Sequence, residues 1–378
     1  MRIGVIGIGR LGLCFATLCK SKGLDIIGCD SNEEYIKSLR DKTFNSPEAS
    51  LLRLFYGDGN FHVTSNVEEV ICSCDVIFTF VQTPSLDDGS YDHSNIENVV
   101  YAIISSPHNV HGKLFVIGST VMPGFSKKVG EMLGDFGVSV AYNPEFIAQG
   151  QIINGLQFAD FVLIGCENKA DIEVLSKIYQ TIMSVNPIIK AMSTTAAEIT
   201  KIGLNCFLTM KISYANFIGE IAINSGIETE VATILSAIGS DTRIGKKFFN
   251  YGFGFSGVCL PRDNKALAHY AERIEVTPLI PKAIDEFNNI HFEFIELELI
   301  SENKENLPFV FNQISYKKGV DIITDSQRFE LCINLLNYGY RVIINESESV
   351  IDKIKPSLMA FGHLVSYNSD EKGFEITL

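Results

Sequence analysis

The sequence has no surplus of basic residues: 31 Lys and Arg stand against 45 Asp and Glu, a formal net charge of -14. Nucleic acids and anionic membranes call for a basic footprint, so neither is an expected partner. An anionic small molecule is still admissible, because a few local cations can bind one inside an acidic protein. Paired C-x-x-C or H-x-x-x-H clusters are also missing. The nine cysteines occur singly or as Cys72-Ser73-Cys74, so no metal site is expected. There is no run of 18 or more apolar residues, and hence no expected transmembrane helix. The apolar start over residues 1–7 lacks a small-residue cleavage site, and its glycines punctuate it as in a strand–turn–helix unit. No internal repeat and no low-complexity stretch is found. These absences leave a cytoplasmic protein with reduced thiols as the expectation.

What is present is an ordinary globular composition, 46% hydrophobic and 20% charged, over 378 residues. A single core rarely grows so large, which predicts two or three domains. Short apolar runs at 2–6, 25–29, 76–80, 114–118, 138–142 and 161–164 are bounded by Gly, Asp, Pro or Asn. Helix-like stretches separate most of them. That rhythm predicts βαβ units in an α/β fold with a parallel, doubly wound sheet. From Thr194 the period changes. Residues 194–225 read as one long helix, with Thr194 or Thr195 as N-cap and Glu198 three or four residues on. A helix over 228–238 follows, then a Gly- and Phe-rich loop from Tyr251 to Cys259, then a helix that starts at Pro261 and ends before Pro278. In the last hundred residues, strands are expected at 309–314 and 341–344, with a helix at 325–337 between them. This tail is short for a full α/β domain.

Gly7-Ile8-Gly9-Arg10-Leu11-Gly12 follows the first strand and opens a helix. In such a turn the first glycine makes the bend and the second lets backbone approach a pyrophosphate. The third packs helix on strand, and the helix N-terminus offers its amides to the anion. Asp30 ends the second strand, where a carboxylate can accept from a ribose 2′-hydroxyl and so favours NAD over NADP. Arg10 and Lys37 are near enough in sequence to meet a phosphate instead. The segment from Phe253 to Asp263 holds the second chemical clue. Its glycines permit close approach to a ligand, and Arg262 and Lys265 can favour a thiolate at Cys259. A lone cysteine is more often an inert core thiol, and that reading applies to Cys14, Cys29, Cys206 and Cys332. Lys201 and Asn205 lie i and i+4 on the long helix, so an ammonium and an amide share a face and can hold an oxyanion.

Taken together, these segments resemble the UDP-glucose/GDP-mannose dehydrogenase family, over residues 1 to about 285. The matching stretches run in order. They are the glycine turn with Asp30, Val81-Gln82-Thr83-Pro84, Asp88-Gly89-Ser90-Tyr91-Asp92 and Ser119-Thr120-Val121-Met122-Pro123-Gly124. Asn143-Pro144-Glu145-Phe146, Ala197-Glu198 with Lys201 and Asn205, Asp241-Thr242-Arg243-Ile244-Gly245 and the Cys259 loop complete the set. The resemblance implies a Rossmann-like NAD-binding domain over 1–190 and a central helical dimerisation domain with the cysteine loop over 191–290. A short, divergent domain for the UDP-sugar would fill 291–378. It implies a four-electron, NAD-dependent oxidation of a sugar C6 hydroxymethyl to a carboxylate, UDP-glucose being favoured. GDP-mannose and UDP-N-acetylhexosamines are the alternatives, beside a nucleotide-sugar-binding homologue without turnover.

By the same resemblance Cys259 is the nucleophile, and Lys201 and Asn205 stabilise the oxyanions. Asp263 and Thr120 position water, and Glu145 is the acid–base group. Gly7, Gly9, Arg10, Leu11, Gly12, Asp30, Thr83, Thr120, Gln149 and Arg262 would contact NAD. Glu145, Phe146, Ile147, Lys201, Asn205, Asn250, Tyr251, Phe255, Gly257 and Lys317 would contact the substrate. Arg243 would reach it from the other subunit of a homodimer built on the long helix. Four departures stand out. Gln149 replaces a usual glutamate and Ser256 a usual glycine. Thr324 stands where the family has an arginine in the tail, with Tyr316-Lys317-Lys318 and Ser326 as stand-ins nearby, and the tail ends early.

Overall fold

The computed structural model describes residues 1–48, 50–147, 150–315 and 321–377. Two compact units divide the chain, Met1–Ile202 and Gly203–Leu378. The division falls inside one continuous helix.

The first unit is a sheet of β1 (Arg2–Ile6), β2 (Asp25–Cys29), β3 (His62–Thr64), β4 (Val76–Thr79), β5 (Leu114–Ile117), β6 (Ser139–Tyr142), β7 (Val162–Gly165) and β8 (Ile189–Met192). The strands lie in the order β3-β2-β1-β4-β5-β6-β7-β8. Between them run α1 (Arg10–Ser21), α2 (Glu33–Arg40), α3 (Leu51–Tyr56), α4 (Val67–Ser73), α5 (Ser94–Ile104), α6 (Phe125–Gly134), α7 (Ile152–Gln157) and α8 (Lys169–Ile182). The short apolar runs become strands because helices cover both faces, so no polar face is needed. Alternation still sorts the side chains. Ile3, Val5, Phe78, Leu114, Val116 and Ile164 join the core shared with α1 and α8. Ile77, Phe115, Ile117 and Leu163 join the core under α4, α5 and α6. Each such burial stabilises by about 1.5–3 kcal/mol.

The sheet is parallel, as expected, except at one pair. β6 and β7 pair antiparallel, Tyr142 opposite Gly165, while β7 and β8 pair parallel to each other. The reversal is made within the 143–161 connection, whose described helix is the six-residue α7. β3 and β8 were not expected from sequence, being three and four residues long and only partly apolar.

The long helix is α9 (Thr194–Asn224), 31 residues and roughly 46 Å. It is capped by Ser193, not by Thr194 or Thr195: Ser193 carbonyl accepts from Ala197 N and its hydroxyl lies 3.4 Å from Ala196 N. Glu198 is not part of a capping box. Its buried carboxylate accepts from Gly124 N at 2.6 Å and Ser126 N at 2.7 Å, capping α6 from another element. Those donors pull its carboxyl down, but burial outweighs them and leaves it raised.

In the second unit α10 (Val231–Gly239), α11 (Leu260–Arg273) and α12 (Leu279–Glu302) follow α9. The 24-residue α12 was not anticipated, because Pro278 and Pro281 read as breakers; a proline in the first turn lacks only an N–H that would be unpaired there anyway. The tail folds as β9 (Phe309–Phe311), α13 (Gln327–Asn337), β10 (Val342–Ile344), α14 (Glu348–Leu358), β11 (Val365–Tyr367) and β12 (Phe374–Glu375). Its four strands are all parallel, in the order β11-β10-β9-β12. Phe309, Phe311, Leu331, Leu335, Val342 and Ile354 fill its core. Ser326 caps α13 and donates to Ile314 carbonyl at 2.7 Å. Among the described residues no helix is long and apolar enough to cross a membrane, and no metal-holding cluster occurs.

Candidate active site

In the first unit the glycine turn sits where the strand order reverses, between β1 and β4, the point at which α/β sheets open a crevice. Gly7 has φ +84°, and a Cβ there would lie 2.8 Å from the Phe80 carbonyl carbon. A Cβ on Gly12 would meet Gly7 carbonyl oxygen at 2.2 Å. Gly9 differs. It is the N-cap of α1, and a Cβ there would meet nothing within 4 Å, so a side chain would project into open space. That is the space a pyrophosphate needs if it is to reach the amides of α1. Arg10 and Leu11 follow on α1, Arg10 exposed and Leu11 against the core. A cavity of about 530 Å³ is lined by Gly7, Gly9, Asp30, Val81, Gln82 and Asn95, among others. Asp30, just after β2, is part of that lining. The shape and donor set fit a dinucleotide.

Thr83 and Thr120 come together: Thr83 Oγ1 donates to the Thr120 carbonyl at 2.8 Å. Glu145, Phe146 and Lys201 form a second group. Lys201 is buried, its Nζ donates to Glu145 carbonyl at 2.7 Å, and it lies 4.6 Å over the Phe146 ring. Burial pushes the Glu145 carboxyl up to about 7, against the lowering effects of the Tyr179 hydroxyl and the Lys201 ammonium. A carboxyl that titrates near neutrality can both take and give a proton. Ile147 turns away to pack on the core and against Gly155. Gln149 lies outside the described residues.

In the second unit Cys259 is the N-cap of α11, and Asp263 N donates to its carbonyl at 2.9 Å. Seven of the nine cysteines are buried; Cys259 and Cys72 are exposed. One turn into α11, buried Asp263 accepts from Asn205 Nδ2 at 2.6 Å and from Arg262 Nε at 3.3 Å. Arg262, expected to serve Cys259 or the cofactor, donates from Nε to Asp263. The loop ahead of Cys259 is held at several points. Asn216 accepts from Gly252 N at 3.1 Å and donates to Phe253 carbonyl at 3.4 Å. His291 Nε2 meets Gly252 carbonyl at 2.8 Å, Asn288 donates to Phe255 carbonyl at 3.2 Å, and Gly257 N donates to Asp325 carbonyl at 2.9 Å. The Arg328 guanidinium lies 4.5 Å over Phe253.

Asn250 and Tyr251 line a separate cavity of about 380 Å³ beside α10. Arg243 is not drawn into either group. Its side chain is 87% exposed and paired with Asp241 two residues back, in a turn that Lys211 Nζ ties down through the carbonyls of Ile244, Gly245 and Lys247. Lys317 lies outside the described residues. Asn143, Tyr179, Glu198, Asn216 and His291 were missed as functional positions, since a buried polar side chain has no period or spacing that marks it. Asn143 and Glu198 did stand in the quoted segments, but without a role.

The comparisons with known proteins agree with this geometry. Residues 1–183 match the NAD-binding domain model of the UDP-glucose/GDP-mannose dehydrogenase family, and residues 195–290 match its central domain model. A putative UDP-glucose 6-dehydrogenase of Bacillus subtilis is 28% identical over 360 residues, 93% of this chain and 82% of its own length. The UDP-glucose 6-dehydrogenase of Campylobacter jejuni is 27% identical over 96% of this chain and 92% of its own. The structure of a UDP-glucose dehydrogenase from Pyrobaculum islandicum superposes with a TM-score of 0.85, at 27% identity, over 98% of this chain and 86% of that one. The chain belongs to the UDP-glucose/GDP-mannose dehydrogenase family, NAD-dependent enzymes that act on nucleotide sugars.

Proposed function

We propose that the protein oxidises UDP-glucose to UDP-glucuronate, with Cys259 as covalent nucleophile. The observation that carries this reading is an exposed cysteine at the N-terminus of a 14-residue helix, one turn from a buried aspartate. Unpaired amides and the helix dipole favour a thiolate there. Bound NAD supplies the hydride acceptor for both oxidations. Lys201 and Asn205, one turn apart on α9, are assigned to the alkoxide of the first oxidation, with Lys201 exchanging its proton. The Cys259 thiolate then adds to the aldehyde carbon: an S–C bond forms and the carbonyl oxygen takes the electron pair, its charge held by the same two side chains. Hydride loss from that adduct leaves a thioester. Water positioned by Asp263 and Thr120 attacks it, Glu145 takes the water's proton, and the C–S bond breaks to return the thiolate. We place the protein in the cytoplasm, where thiols stay reduced, and supplying a precursor for polysaccharide is the role that fits its product.

The assembly we propose is a homodimer on α9. Phe207, Tyr214, Phe217 and Ile221, spaced by seven, three and four residues, form a stripe in which each is about half exposed. Such a stripe on a soluble helix is the expected seat of a second copy. In the dimer the solvent-directed Arg243 would reach the partner's substrate. Light scattering at micromolar concentration should give at least twice 41.8 kDa; a monomer would refute the assembly.

The test of the reaction is the yield of NADH with limiting UDP-glucose and excess NAD, run in parallel with GDP-mannose and UDP-N-acetylglucosamine. Two NADH per UDP-glucose are expected. One would mean an alcohol dehydrogenase that stops at the aldehyde. Two from another of the sugars would keep the chemistry and change the substrate. None from any would leave a binding protein without turnover.

A further inference from the structure

Beneath Glu145 lies a polar chain that the proposed reaction does not use. Tyr179, on α8, is buried, and its hydroxyl stands 2.5 Å from Glu145 Oε1 and 2.7 Å from Asn143 Oδ1. Asn143 is fully buried, and its amide cannot flip, because Nδ2 donates to Leu163 carbonyl at 2.8 Å across the antiparallel β6–β7 contact. Oδ1 must therefore face Tyr179, and it can only accept. The tyrosine hydroxyl has a single proton and two oxygen neighbours. If it donates to Asn143, the short contact to Glu145 requires a proton from the Glu145 carboxyl. If it donates to a Glu145 carboxylate, Asn143 Oδ1 is left buried with no donor from this group, which opposes that arrangement.

We propose that Tyr179 is a positioning residue for Glu145, a two-position rotor whose proton goes to Asn143 while Glu145 is neutral and to Glu145 when it is ionised. The proposal deepens the reading of Glu145 as the acid–base group and rests on it for its catalytic meaning. Burial raises the carboxyl; the rotor supports ionisation and the fixed Asn143 oxygen limits that support, so the pair trims the elevation that burial imposes. The ionisable groups facing Glu145 are Tyr179 from α8, Lys201 from α9 and Cys19 from α1. Lys201 favours the carboxylate; the Tyr179 hydroxyl and the Cys19 thiol are both pushed up, first by burial and then by the Glu145 charge, so neither competes for charge at neutral pH. No proton is created or lost in the exchange: when Glu145 receives the proton of the attacking water, the tyrosine proton swings back to Asn143.

The two partners pull in opposite directions, and this separates a relay from a merely structural role. Tyr179→Phe removes the donor to the carboxylate, a charge-assisted bond stronger than the neutral one lost with it. The proton affinity of Glu145 should rise about tenfold, one pKa unit. Asn143→Leu removes the competing acceptor, leaves the tyrosine proton always on Glu145, and should lower that affinity by a similar factor. Infrared titration of the carboxylic C=O band in the full-length protein reads this without turnover, the Glu145 band being the one lost in Glu145→Gln. Opposite shifts support the relay; no shift, or shifts in one direction, overturn it. If Asn143→Leu does not fold by circular dichroism, 3-fluorotyrosine at position 179, a stronger donor, should shift the band in the direction expected of Asn143→Leu, and failure to do so overturns the proposal. The pH–rate profile for acid formation should move with the infrared midpoint. Opposite infrared shifts with a fixed rate profile would keep the relay and remove Glu145 from the catalytic reading instead.

Discussion

Cys259→Ser is expected to reduce formation of the sugar acid by about 10³-fold or more, the scale on which loss of a nucleophile is felt when the rest of a site remains. The argument is one of electron supply. An aldehyde has no hydride that it can give up until a nucleophile has added to its carbon. A thiolate at the start of α11 is favoured by the helix dipole, worth roughly 0.3–1 kcal/mol at an exposed site, and is intrinsically strong. A serine hydroxyl is a far weaker acid than a thiol, so it stays protonated there and is a poor nucleophile. Binding should survive, because the substitution is nearly isosteric and exposed. The measurement is quenched-flow with radiolabelled sugar, which separates alcohol, aldehyde and acid. Normal conversion to acid by the serine variant would end the covalent mechanism. Accumulation of a covalent sugar adduct on the wild-type enzyme, absent in Cys259→Ala, would support it.

The residues assigned to this chemistry could be singled out in the sequence because each sits at a position with its own local sign. Glycines at Gly7, Gly9 and Gly12 mark a turn that admits no Cβ at two of the three places and leaves open space at the third. Lys201 and Asn205 are one helical turn apart, and Cys259 precedes a proline that starts a helix. The six apolar runs gave six of the eight strands, since strands covered on both faces are short, apolar and sharply bounded. The remainder was illegible for physical reasons. β3, β8, β11 and β12 are two to four residues long, which leaves no period to read. The reversal of β7 depends on how a connection packs, not on its composition. Glu198 serves a helix more than seventy residues away, and Tyr179 meets Glu145 across 34 positions, so only the fold brings these partners together. Arg262 illustrates the limit from the other side: it stands three residues after Cys259 in sequence, and its Nε also donates to the neighbouring Asp263, a contact that spacing alone did not mark.

His291→Leu is expected to destabilise the second unit by about 1–3 kcal/mol, the range for leaving a buried hydrogen-bonding group without its partner. The ring is fully buried, with Nδ1 2.6 Å from Glu220 Oε1 and Nε2 2.8 Å from Gly252 carbonyl. Two acceptors meet two nitrogens, so the His291–Glu220 pair holds two protons between them and delivers one to the backbone of the cysteine loop. Phe287 stacks on the ring at 5.8 Å and Tyr251 meets its edge at 5.7 Å, which keeps water from replacing it. The Glu298 carboxyl close by is already pushed up by burial and by Glu302, and is steadied by His291, so the loss would be felt beyond Glu220. Chemical denaturation measures the cost. Because part of the penalty comes from Glu220 left without its partner, Glu220→Met in the same chain should recover some of it, about 1 kcal/mol. Costs that simply add would show that the pair is not the unit that holds α9, α12 and the loop. Native-state alkylation gives the functional counterpart. With the Gly252 carbonyl released, Gly252 keeps its N–H bond to Asn216 but loses its second tether, and the reaction rate of Cys259 with iodoacetamide should rise in His291→Leu while that of Cys72, in the other unit, stays the same.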